Sequence, residues 1–408
     1  MGATGDERRG PGAARMGVSG AGRTGLRRAP LLALALVALL AGLWGGLIRL
    51  GLFTPDVAVS ASEAHGPLMA LGFLGTLVSL ERAVALGRWW AYAAPLAAGL
   101  GALAALTGAP GALGPALETL AGSALLACHL ALQRMSPSLH NAIMGLGAVS
   151  WCAAAVAWLA GAEVGRFAPL LVGFLVLTSV GERLELTRVA RRPAWVQSLL
   201  LLAIAVCAAG LALSLTAETT GVRIAGAGLL GQAAWLARYD IARRTVRMGG
   251  VTRFMALALF AGYVWLAAAG VLWAANGAMV DGPAYDASLH AVFLGFVMSM
   301  VFAHAPVIVP AVLRVPLPFH RGFYAHLALL HASLALRLLG GDLAGNVTLW
   351  KWGGILNEAA ILLFLIVTAS AVLRARGARA RDPRAHGLQA VSASAGKRGP
   401  RSLHSQSG

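Results

Sequence analysis

Almost the whole chain is a succession of apolar runs about 20 residues long, the length an α-helix needs to cross the hydrocarbon core of a bilayer. Twelve such runs can be read, at roughly 30–50, 65–87, 91–107, 115–133, 139–160, 167–186, 195–215, 221–237, 252–275, 286–313, 322–339 and 346–373. Lipid offers no partner to an exposed backbone N–H or C=O, so runs of this kind fold as helices. The expected fold class is therefore all-α: a polytopic integral membrane protein of about twelve transmembrane helices. A mean hydropathy of +0.73, with 58% hydrophobic and 12% charged residues, excludes an ordinary soluble domain. The expected division is a basic tail over 1–28, a helical membrane domain over 29–374 and a second basic tail over 375–408. The tails are rich in Gly, Ala, Ser and Arg and are expected to be disordered.

The net charge of +17 is unevenly placed. Alternate loops carry Arg82 and Arg88; Arg134; Arg183, Arg188, Arg191 and Arg192; Arg238, Arg243, Arg244, Arg247 and Arg253; and Arg314 and Arg321. The intervening loops hold Asp56 and Glu63, Glu118, Glu163, Glu218, Asp281 and Asp286, and Asp342, against Arg166 and Arg223. By the positive-inside rule both termini are expected in the cytoplasm of a bacterial inner (plasma) membrane. The basic tails hold topology and attract anionic lipid, and no nucleic-acid module accompanies them. The first apolar run is too long for a signal-peptide core and is read as a retained helix. Cys128, Cys152 and Cys207 lie inside apolar runs without a Cys-x-x-Cys pair, which argues against a disulfide framework or a cysteine zinc site.

Three stretches four runs apart resemble one another. Gly72-Phe73-Leu74 is followed by Glu81-Arg82, and Gly173-Phe174-Leu175 by Glu182-Arg183 at the same distance. At the third copy, Gly295-Phe296-Val297, the position of the Glu is taken by His304. A 6+6 transporter would repeat every six helices, so this spacing points to a pseudo-threefold 4+4+4 bundle centred on helices two, six and ten. The Glu-Arg pairs, at helix ends, are expected to anchor the interface and pair locally.

Histidine is the chemistry-bearing residue of the apolar runs. His65 opens the second helix and His290 the tenth, at one expected depth. Gly72 follows His65 by seven residues, two turns of a regular α-helix, and would clear a slot for a flat ligand standing on His65. His304 lies about 21 Å deeper than His290 on a straight helix, just before the kinking residues Pro306 and Pro310. His326 and His331 lie on the eleventh helix. Neutral imidazole is a common ligand of haem iron and copper, so His65 and His290 are candidate ligands of one metal and His304, His326 and His331 of a second.

The run Ala64-His65-Gly66-Pro67-Leu68-Met69-Ala70-Leu71-Gly72-Phe73 resembles the start of the second helix in NnrS-type haem-copper membrane proteins. Leu289-His290-Ala291-Val292-Phe293-Leu294-Gly295, with Ala303-His304-Ala305 beyond it, resembles their later Leu-His-Ala segment. The resemblance implies twelve helices and a layout related to subunit I of haem-copper oxidases, where a low-spin haem sits between histidines of helices two and ten. It implies a b-type haem on His65 and His290, copper as the second metal, and a role in nitric-oxide or nitrosative stress or in metal and haem handling. A redox or respiratory partner is expected on the same ground. Helices six and seven here lack histidine, so an oxidase-like binuclear centre is not expected, and Ala303-His304-Ala305-Pro306 departs from the Gly-His-Thr-Gly-Arg of close relatives. Two other functions fit the residues: a proton-coupled secondary transporter using His304 on the kinked tenth helix, and a non-catalytic assembly partner of a respiratory complex.

Overall fold

A computed structural model describes residues 19–52, 59–109, 111–187, 192–313 and 315–380. Every regular element among them is helical. In chain order the long helices are α1 Ser19–Arg49, α2 His65–Leu86, α3 Trp89–Leu106, α4 Leu113–Met135, α5 Leu139–Leu159 and α6 Val164–Thr187. There follow α7 Ala194–Leu213, α8 Glu218–Tyr239, α9 Gly250–Asn276, α10 from Gly282 to Leu313, α11 Phe323–Leu343 and α12 Val347–Ala380. Eleven helices among the described residues are long and apolar enough to cross a membrane. The helix of α1 begins at Ser19, before the expected boundary at 29, and α12 continues beyond 374. The rest of the two expected tails, 1–18 and 381–408, lies outside the described residues.

The exception is α8, the expected eighth span. It is a 22-residue helix, but it includes Glu218, Arg223, Arg238 and several small residues. Those small residues let it meet its neighbours backbone to backbone. A Cβ on Gly221 would come within 2.2 Å of the Ser214 nitrogen, and one on Gly228 within 2.4 Å of the Cys207 nitrogen, both on or beside α7. On its other side Gly226 meets α9 in the same way, 2.6 Å from the Ala274 nitrogen. Small residues that let helix backbones touch are the usual means of packing helices in lipid, where apolar burial gives no advantage.

Burial separates three helices from the rest. Within their most apolar stretches α2, α6 and α10 have 67%, 78% and 61% of residues buried, and none of the other candidate spans exceeds 50%. Helix α6 touches both α2 and α10, and α12 returns to α1. The three copies of the repeat thus occupy the three most enclosed helices. Their glycines serve close packing: a Cβ on Gly72 would lie 2.6 Å from the Ala102 Cβ on α3. One on Gly173 would lie 2.5 Å from Leu211 on α7, and one on Gly295 2.4 Å from the Trp265 Cβ on α9.

The copies differ in backbone. In α2 the stretch Leu68–Gly75 is π-helical, and so is Ala291–Val297 in α10, whereas the second copy is regular α-helix throughout α6. A third π-helical stretch, Leu336–Leu343, closes α11. Such wide turns are rare and concentrate at functional sites. The first two begin within three residues of His65 and directly after His290.

Candidate functional site

A cavity of about 460 Å³ opens where the ends of α1 and α11 meet the first turns of α2, α10 and α12. His65 and His290 both line it, with Arg49, Arg337, Trp350 and Glu358 among the other walls. Two histidines separated by 225 positions in the chain are therefore brought to one chamber. Gly46 keeps the wall thin beside them, since a Cβ there would lie 3.3 Å from His65 Cε1 and 2.7 Å from Glu358 Oε1.

The protonation pattern of both rings follows from their partners. His65 Nδ1 lies 2.7 Å from the Gly42 carbonyl oxygen, one turn outside the ring on α1. A carbonyl can only accept, so Nδ1 carries the proton and Nε2 keeps its lone pair. His290 Nδ1 lies 2.8 Å from the Asp286 carbonyl and 3.2 Å from the Asp286 carboxylate, which fixes the same tautomer. Neither Nε2 has a hydrogen-bond partner among the described residues. An imidazole oriented by a carbonyl or carboxylate on Nδ1, with Nε2 free, is the usual form of a metal-ligating histidine.

Asp286 is itself fixed. Arg337 on α11 donates to both of its carboxylate oxygens at 3.0 Å each, and Trp350 Nε1 on α12 donates at 3.1 Å. The Arg337 guanidinium lies 5.4 Å from the Trp350 ring centroid. Glycine on α12 admits the arginine: a Cβ on Gly353 would lie 2.6 Å from Arg337 Cα, and one on Gly354 2.9 Å from Nη1. Three helices thus hold the carboxylate that holds His290.

Gly72 is not part of this cavity. The expected slot on the face of His65 assumed 3.6 residues per turn, and the intervening π-helical turns carry Gly72 round to Ala38 and Ala102 instead. Clearance beside His65 comes from Gly46 and Gly66.

The three histidines considered for a second metal occupy separate environments. His304 Nδ1 bonds the Met300 carbonyl at 2.8 Å, and its Nε2 faces Arg183 Nη1 at 3.4 Å, so the lone pair is turned to a cation. His331 has the opposite tautomer from the cavity pair. Its Nδ1 accepts from Trp265 Nε1 at 3.0 Å, leaving Nε2–H directed at Ser299 Oγ at 3.4 Å. His326 is fully buried among the rings of Phe302, Phe364, Phe323 and Phe254, at 4.6 to 6.0 Å, and neither nitrogen has a hydrogen-bond partner among the described residues. Among the described residues no group of three or more His, Cys, Asp or Glu side chains is placed to hold a metal ion. His304, His326 and His331 therefore do not fit a copper ion as a set.

A second polar cluster occupies the other end of the bundle. Arg183 on α6 donates through Nε and Nη2 to the two oxygens of Asp240, at 2.8 and 2.7 Å. Tyr263 on α9 and the backbone N–H of Ala242 complete the carboxylate at 2.9 and 2.6 Å. The Glu81–Arg82 pair is local, as its spacing suggests, at 2.6 Å. Arg183, by contrast, reaches across 57 residues rather than to Glu182. Glu118 also departs from expectation: it lies within α4, 1% exposed, rather than in a loop.

The sequence does not mark Arg337, Trp350 or Asp240 as site residues, and Asp286, which reads as a loop acid, lies in the first turns of α10. A signal existed for two of them. Asp286 stands one helical turn before His290, on the same face, and Arg337 is an isolated charge at the end of an apolar run, where charges are functional by default.

The family model described as a domain of unknown function, DUF8744, matches residues 28–373. The chain belongs to this family. The match begins within α1 and ends within α12, so it takes in the cavity and the Arg183–Asp240 cluster alike. No curated protein matches the chain.

Proposed function

We propose that the chain is a bacterial inner-membrane haem protein of NnrS type, in which His65 and His290 would hold one b-type haem. The observation that carries this is the pair of imidazoles lining one cavity, each with Nδ1 spent on a carbonyl and Nε2 without a partner among the described residues. The chamber is within the about 300–1,000 Å³ typical of cofactor pockets. Its other residues suit the group: Arg49 offers a cation to its carboxylate substituents, and Trp350 and Phe293 offer flat apolar surface. The haem would supply one-electron and small-gas chemistry at its iron. Gly42 and Asp286 would orient the two rings, and Arg337 with Trp350 would hold Asp286 in place.

The burial of α2, α6 and α10 supports a 4+4+4 bundle, with α8 as a twelfth, close-packed span and both termini on the arginine-rich, cytoplasmic side. The resemblance in the His65 and His290 segments supports a role in nitrosative stress or in haem handling, with a redox partner in the membrane. The deciding experiment is the optical spectrum of the purified full-length protein after titration with haemin. A Soret band with low-spin features is expected, abolished or converted to a five-coordinate form by His65→Ala and by His290→Ala. A protein that takes up no haemin, or whose spectrum neither substitution alters, refutes the proposal.

A transporter centred on His304 is the competing function, favoured by its buried contact with Arg183 beside Pro306. Proton-dependent uptake into vesicles that His304→Ala abolishes would favour it.

A further inference from the structure

At the arginine-rich end of the bundle, five guanidinium groups converge on one cavity, whose acid among the described residues is Asp240. Arg192 precedes α7, Arg238 ends α8, Arg243 and Arg244 lie in the short helix Ala242–Thr245, and Arg247 follows it. Together with Asp240 they line a cavity of about 250 Å³. Asp240 cannot neutralise them. Its carboxylate is wholly buried and already accepts from Arg183, Tyr263 and Ala242. Among the described residues none of the five arginines forms a salt bridge.

Two of them are nevertheless held in place. The Tyr239 ring lies 5.6 Å from the Arg192 guanidinium and 5.2 Å from that of Arg238. Arg192 Nε is buried and has no hydrogen-bond partner among the described residues. Burial and the neighbouring Arg244 push the Arg192 guanidinium below its ordinary range. Like charges gathered and partly ordered in this way hold a site for a multiply oxygenated anion, for which arginine is the best-suited side chain.

Arg192 is also a wall of a second cavity, of about 360 Å³, between the ends of α5, α6, α7 and α8. Its lining is mixed: Leu139, Leu184, Val196 and Trp235 give it an apolar wall, and His140 and Gln197 a polar one. A cationic chamber and a groove with one apolar wall share an arginine, and together they match the two halves of an amphiphile. We infer that they form a binding site for an anionic phospholipid, its phosphate seated among Arg192, Arg238, Arg243, Arg244 and Arg247 and an acyl chain laid along the groove. Basic pockets between helices at the cytoplasmic side are the recurrent way in which membrane proteins hold such headgroups.

The test uses the full-length protein in a neutral detergent, with native mass spectrometry for retained lipid and thermal unfolding for protection. Phosphatidylglycerol, phosphatidylcholine and inorganic phosphate are the probes. Wild-type protein is expected to retain phosphatidylglycerol at least tenfold better than phosphatidylcholine. Arg192→Ala with Arg244→Ala should lower that retention by roughly ten- to thirtyfold, at about 1 kcal/mol per arginine. Arg88→Ala, which removes an exposed arginine outside the site, should leave it unchanged. Val196→Trp, which enlarges a side chain lining the groove and leaves all five arginines in place, should cut lipid retention and spare any protection by phosphate. Equal retention of the two lipids overturns the inference, as does undiminished retention in both the double-arginine and the Val196→Trp variants. If inorganic phosphate protects as well as phosphatidylglycerol and Val196→Trp has no effect, the occupant is a soluble anion and the lipid assignment fails.

Discussion

Asp240 gives the sharpest test of how the bundle is held together. The carboxylate is 0% exposed and Arg183 3% exposed, and four donors converge on its two oxygens. Removing one partner of such a pair leaves an uncompensated buried charge, which costs about 3–5 kcal/mol. Asp240→Ala also strands the Tyr263 hydroxyl and the Ala242 N–H, each worth about 1 kcal/mol or more. The sum, roughly 5–7 kcal/mol, approaches the whole stability of many folded domains. Asp240→Ala is therefore expected not to accumulate as folded protein. Asp240→Asn keeps one acceptor oxygen and is the variant to measure. Unfolding by sodium dodecyl sulfate titration should show a loss of about 2–4 kcal/mol for Asp240→Asn and a similar loss for Arg183→Leu. The double variant should lose less than the sum of the two by about 2–3 kcal/mol, because neither charge is then left alone. Additivity within about 0.5 kcal/mol would mean that the two groups do not meet in a water-poor interior, and the reasoning would fail.

Asp286→Asn should weaken haemin binding by about 10- to 100-fold in an optical titration, the usual effect of disturbing the group that orients a ligating imidazole. Gly295→Ala should destabilise by about 1–3 kcal/mol in thermal unfolding, since its Cβ would stand 2.4 Å from that of Trp265 with backbone behind both. His326→Phe should leave stability unchanged or raise it by about 1–2 kcal/mol, because it removes two polar atoms that lack partners inside a shell of phenylalanines. A marked loss there would reveal a partner that the ring chemistry conceals.

Most of the helix layout is legible in the sequence because a bilayer imposes one length on every span. The runs read at 139–160, 195–215 and 252–275 lie within a few residues of α5, α7 and α9. The meeting of His65 and His290 in one cavity accords with the same counting, since each stands near the start of a long apolar helix. The failures have a common origin in the backbone. The face shared by His65 and Gly72 was deduced for an α-helix, and Leu68–Gly75 winds more widely. No composition rule separates that stretch from Gly173-Phe174-Leu175, which carries a similar motif and stays α-helical. Partners distant in sequence were equally hidden. Nothing near Arg183 announces Asp240, and Glu118 reads as a loop acid because its burial depends on how α3 and α5 enclose α4.

The wide turns after His65 and His290 also set how the two ends of each helix are related. In α2 they separate the half that presents an imidazole from the half that presents Glu81-Arg82, so the angle between those halves is a property of a few backbone bonds. Were Leu68–Gly75 to wind at ordinary α-helical pitch over the same number of residues, one half would turn against the other. With the Glu81-Arg82 half kept in register, the imidazole would swing out of the chamber while every side chain in the protein kept its chemistry. The spare residue in the coil acts as an indexing device: it aims the ring.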